Sequence, residues 1–149
     1  QRHPEWMDCL VVAAALHENV MLVTDTHAPI DRYLAAADLL VTDCSSVMFQ
    51  YLPFDRPLVL LSNPARIGTT ERYDPEGPEW TWRQIGEEVH DVSALPAAIL
   101  HAMAGPGVRA RERETCRHAM FGEFTDGRTG ERLARHIADL PKAETAPIS

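Results

Sequence analysis

Two short apolar runs, Leu39-Leu40-Val41-Thr42 and Pro57-Leu58-Val59-Leu60-Leu61, flank the helix-like stretch from Ser45 to about Leu52. Runs this short, joined through a helix, are the pattern of parallel strands with a crossover between them, each strand buried on both faces. The alternation continues in both directions. Pro4 suits a first helical position, and Trp6, Cys9, Leu10, Ala13 and Leu16 or His17 recur at helical spacing up to about Glu18, predicting an amphipathic helix that packs on a sheet. Val20-Met21-Leu22-Val23-Thr24 then reads as a buried strand, and Asp25-Thr26-His27 as a turn before a helix from Pro29 to about Ala37. Further on, Glu88 to Asp91 reads as a last short strand, with helices over Val92 to Met103, Arg109 to Met120 and Thr129 to Leu140. The expected fold is α/β, a doubly wound, mostly parallel, Rossmann-like sheet with added C-terminal helices.

At 149 residues the chain can bury roughly 70% of the surface its unfolded form exposes, so it needs no staple. Residues 1–140 are expected to form one domain, and residues from Pro141 to Ser149 a flexible tail. Cys9, Cys44 and Cys116 form no C-x-x-C pair and no ligand spacing, which predicts reduced thiols and no metal centre. A net charge of −8 argues against general nucleic-acid binding, which needs a basic face to displace counterions. Any anionic ligand must therefore be met locally. No apolar stretch is long enough to span a membrane. Between Asn63 and Glu88 the pattern gives way to prolines, glycines and charges and reads as a long loop, whose Trp80 and Trp82 can stack on a nucleobase but are expected rather to anchor on the core.

The strand at Leu39–Thr42 ends in Asp43-Cys44-Ser45-Ser46, directly before the helix-like Val47-Met48-Phe49-Gln50-Tyr51. Backbone N–H groups in the first turn of a helix have no intrahelical partner and carry partial positive charge, so two hydroxyls at this point can face a phosphate. A serine there can equally be a plain N-cap worth about 1 kcal/mol. In a doubly wound sheet, ligands sit outside the carboxyl ends of the strands. That edge is expected to carry His3, the turn containing His27, Asp43 with Ser45 and Ser46, and the chain from Ser62 onward. Asp43 is expected to orient the turn. Arg113 and Arg132 are expected in surface ion pairs, and His17, His90, His101, His118 and His136 as surface groups without a metal motif.

His3-Pro4, the segment Asp31-Arg32-Tyr33-Leu34-Ala35-Ala36-Ala37-Asp38-Leu39-Leu40-Val41-Thr42-Asp43-Cys44-Ser45-Ser46-Val47-Met48-Phe49, and the later Asp126-Gly127 with Glu131-Arg132 resemble the C-terminal half of CDP-glycerol glycerophosphotransferases. These are the primases and polymerases of teichoic acid. The resemblance implies the C-terminal domain of a GT-B fold, a nucleotide-diphosphate donor site, and a missing N-terminal half of the same protein. It implies His3 as the catalytic histidine at the donor phosphates, with Ser45 and Ser46 on the pyrophosphate. The implied donor is CDP-glycerol, a substrate and not a cofactor, and the implied acceptor is a lipid-linked polyol phosphate. The implied location is cytoplasmic, peripheral at the inner face of the membrane. A second histidine, the general base of the family, would belong to the other half, so this chain alone is expected to be catalytically silent. Cys44 stands where the family usually has Tyr, and Gln50 where it usually has Asp.

Two other readings compete. One is the donor half of a GT-B sugar-nucleotide glycosyltransferase or a UDP-sugar 2-epimerase. Those families hold the ribose through a glutamate shortly after the phosphate-binding turn, and Gln50 is a poor substitute. The other is a non-catalytic α/β binding module whose serines only cap a helix.

Overall fold

In the computed structural model, which describes residues 4–63 and 74–140, three strands form one parallel sheet. They are β1 (Leu40–Thr42), β2 (Leu58–Leu61) and β3 (Glu87–Val89), in the order β1-β2-β3, with Leu40 opposite Leu58 and Val59 opposite Glu87. The central strand is buried on both faces, as its unbroken apolar sequence requires. Its side chains alternate between two cores. Leu58 and Leu60 join Leu34, Met48, Tyr51, Leu52, Ile85 and Cys116 on one face, while Val59 joins Val89, Ala98 and Ala102 on the other.

Helices supply both layers. α3 (Val47–Tyr51) continues into a 3-10 turn over Leu52–Phe54 and brings Met48, Tyr51 and Leu52 to the first core. α6 (Ala110–Phe121) adds Cys116 to the same side, where burial pushes the thiol up to about 11 and leaves it protonated at neutral pH. α5 (Leu95–Ala104) covers the opposite face with Ala98 and Ala102. The expected α/β architecture, with helices on both faces of a parallel sheet, is what the chain forms.

Buried polar groups lock these layers together. Tyr51 donates its hydroxyl to the Ala37 carbonyl at 2.7 Å, and Arg56 donates to the Ala35 and Ala37 carbonyls at 2.8 and 2.5 Å. Together they satisfy acceptors that the end of α2 (Asp31–Ala36) leaves open. Arg113 on α6 is 3% exposed and donates to Asp55 Oδ1 at 2.7 Å and to the Pro106 carbonyl at 2.9 Å. It is a buried anchor, not the surface pair expected of it. Arg132 does pair at the surface, with Asp126.

The chain divides into two units, Gln1–Tyr33 and Leu34–Ser149, and the sheet belongs to the second. In the first, α1 (Pro4–Ala15) forms as expected but stops short of Glu18, and Trp6, Leu10 and Leu16 are exposed. Residues 20–24 form no strand. An apolar run becomes a strand only where a neighbour supplies ladder partners, and this unit has no second strand among its described residues.

The expected loop from Asn63 to Glu88 also holds more structure than its composition predicts. Residues 64–73 lie outside the described residues, but α4 (Pro78–Thr81) and a 3-10 turn over Arg83–Ile85 precede β3. Pro78 at the first helical position makes α4 possible. Trp82 packs against the first core, in line with an anchoring role. α7 (Thr129–Asp139) forms, but Leu133 and Ile137 on its apolar stripe are exposed. The expected tail, residues 141–149, lies outside the described residues.

Candidate functional site

The carboxyl ends of the three strands gather a small set of polar groups. β1 ends at Thr42 and the chain turns through Asp43 to Ser46 before α3 begins at Val47. The turn is tight, with the Ser45 N–H donating to the Asp43 carbonyl at 3.1 Å. Ser46 precedes α3 with helical backbone angles (φ −60°, ψ −12°) and makes no side-chain capping bond. The Ser45 hydroxyl accepts from the Val47 N–H at 3.5 Å, the long limit of a hydrogen bond. Capping is therefore weak at Ser45 and missing at Ser46. Ser46 is exposed and Ser45 partly so, which leaves both hydroxyls within reach of solvent.

Beyond β2, Ser62 is 2% exposed and donates its hydroxyl to Glu88 Oε1. Its N–H donates to the Val89 carbonyl at 2.8 Å, which ties the ends of β2 and β3. Glu88 also faces Arg83, whose Nε lies 3.4 Å from Oε1. Arg83 is 7% exposed, and its Nη1 donates to the Asp43 carbonyl at 3.3 Å. The residue that opens the serine turn is thus held by a buried guanidinium from forty positions downstream.

The sequence placed Ser62 at this edge, as found, but gave no site role to Arg83 or Glu88. One signal was present: an arginine set among Trp80, Trp82 and Ile85 in an otherwise acidic segment. Its guanidinium lies 6.0 Å from the Trp80 ring, at the outer range of a cation–π contact.

The other expected site residues stand as follows. His3 lies outside the described residues. His27 belongs to the first unit, where its N–H donates to Asp25 Oδ1 at 2.9 Å and its side chain is exposed. Asp43 is exposed, and its carbonyl does the structural work described above. His101 pairs with Glu87 at 2.5 Å. That pair borders an open cleft of about 560 Å³ whose lining includes Glu87, Glu88 and Arg109 but neither serine. Arg83 lines it as well, so its two carboxylates stand among two arginines and a histidine, but the accessible hydroxyls beyond the carboxyl end of β1 are those of the serine turn.

A turn of this kind, two accessible hydroxyls and first-turn N–H groups outside a parallel strand, is suited to a phosphate oxyanion. No curated protein and no solved structure matches the chain significantly. A family model described as CDP-glycerol:poly(glycerophosphate) glycerophosphotransferase matches residues 1–139, almost the whole chain. The chain belongs to the CDP-glycerol:poly(glycerophosphate) glycerophosphotransferase family.

Proposed function

We propose that this chain supplies the donor site of an enzyme that moves glycerol phosphate from CDP-glycerol to a hydroxyl of a lipid-linked, teichoic-acid-like acceptor. The observation that carries this reading is the solvent-accessible Ser45-Ser46 pair beyond the carboxyl end of β1, in a chain of this family. In it, Ser45 and Ser46 receive the pyrophosphate and Asp43 fixes their turn.

The chemistry is a phosphoryl transfer. The acceptor oxygen attacks the phosphorus that bears glycerol, the phosphoanhydride bond breaks, and CMP leaves with the bridging oxygen. Negative charge builds on that oxygen and on the equatorial oxygens, so preplaced hydrogen-bond donors lower the barrier. His3 would act as a donor at the donor phosphates. The acceptor's proton must go to a base, which we place on a second domain, so the chain by itself binds donor without transferring it. Work on a lipid-linked acceptor would take place at the inner membrane face. No helix among the described residues is long and apolar enough to cross a membrane, so such an association would be peripheral or rest on other residues.

Titration calorimetry on the purified chain tests the reading. CDP-glycerol and CDP are expected to bind, with UDP-sugars weaker. No heat from CDP-glycerol or CDP up to millimolar concentration refutes a donor site, and preference for a UDP-sugar moves the chain to glycosyl transfer.

A further inference from the structure

Arg83 ties together the carboxyl ends of all three strands. It donates to the Asp43 carbonyl just past β1, and its Nε faces Glu88 within β3. Glu88 in turn accepts from Ser62, just past β2. A second long bond runs from Nη1 to the Glu79 carbonyl at 3.5 Å. Nη2 is buried and has no hydrogen-bond partner among the described residues.

Stability alone does not account for an arginine at this position. Taking a guanidinium out of water and leaving a nitrogen unmet is unfavourable, and an apolar side chain of similar volume would avoid both costs. An apolar side chain, however, cannot fix the direction of a carbonyl. The oxygen that Arg83 holds is the same one that accepts from the Ser45 N–H at 3.1 Å and so closes the turn. Rotation of that peptide would swing the Cys44-Ser45-Ser46 backbone with it.

We propose that Arg83 is a positioning residue, whose hold on the Asp43 carbonyl sets the Cys44-Ser45-Ser46 turn in the geometry that receives a diphosphate. The proposal rests on the donor-site reading and adds to it a residue that touches no ligand. Such a group acts by preorganisation, so its removal is felt in affinity even where the fold survives.

The test compares Arg83→Met and Arg83→Lys with the wild-type protein, by CDP-glycerol titration well below the unfolding temperature and by backbone amide resonances. Arg83→Met is expected to weaken CDP-glycerol binding about tenfold, and Arg83→Lys, which keeps a charge but no fixed fork, about threefold. In both, the Ser45, Ser46 and Val47 amide resonances shift, while Val59 and Ala98 in the opposite core stay in place. A purely structural role would lower the unfolding temperature and leave affinity of the folded protein and the turn resonances unchanged. That result overturns the proposal. Should Arg83→Met fail to fold, the lysine variant decides by the same two readings. A wild-type protein that binds no CDP-glycerol refutes the donor site alone, because the turn resonances still report whether Arg83 sets the turn.

Discussion

Ser46→Asp is expected to cut CDP-glycerol affinity about a hundredfold while leaving the fold as stable as before. A carboxylate about 4 Å from a phosphate repels it by about 4 kcal/mol at an effective dielectric near 20, and partial exposure brings that to about 3 kcal/mol, or roughly two powers of ten. The same carboxylate is favourable for the helix. Asp is among the best residues before a helix, and its charge complements the partial positive charge there. Ser46 makes no side-chain capping bond, so the substitution also removes none. Calorimetry and a thermal melt on one sample therefore separate the two roles. Lost affinity with an unchanged or raised melting temperature marks a ligand contact, whereas unchanged affinity marks a serine that only starts a helix.

Gly86→Ala is expected to destabilise the sheet unit by about 3 kcal/mol, near the upper end of the cost of overpacking a core. A Cβ there would lie 2.8 Å from the Leu58 carbonyl oxygen, 2.9 Å from Leu58 Cβ and 2.9 Å from Leu60 Cγ. None of these can yield. Leu58 and Leu60 are buried in the central strand, and Gly86 leads directly into β3, whose next residue pairs with Val59. Its φ of −133° suits any residue, so the requirement is for space and not for backbone freedom. A melt followed by circular dichroism should show a drop of about 10 °C. A drop under about 2 °C would mean that β3 does not pack as closely on β2 as described.

The sheet was largely legible because its strands and helices have different periods. Leu58 to Leu61 could only be a doubly buried strand, and the segment from Leu40 through Tyr51 carried a strand, a turn and a helix in succession. Helices α5 to α7 followed from their spacing within one or two residues at most ends. Residues 20–24 misled because a short apolar run states a preference for burial but not whether a partner strand exists. α4 was hidden by the surrounding prolines and acidic residues, although Pro78 is itself a start signal.

The serine turn was readable as a local motif, strand to Asp43-Cys44-Ser45-Ser46 to helix. What supports it was not. Arg83 reaches Asp43 across forty positions and Ser62 reaches Glu88 across twenty-six, distances that only the β1-β2-β3 register brings together. Gly86 is of the same kind, since nothing beside it in sequence announces the closeness of Leu58. Arg113 looked like a surface cation because α6 is rich in charge, yet its position faces inward, onto Asp55 and the Pro106 carbonyl.

Mapping amide and imidazole resonances of the isotope-labelled protein during a CDP-glycerol titration tests the central claim most directly. The account predicts that His3, Ser45 and Ser46 shift together along one saturating curve, with the Val59 and Val89 amides unmoved. Saturable binding that leaves both serines and His3 unshifted would contradict it.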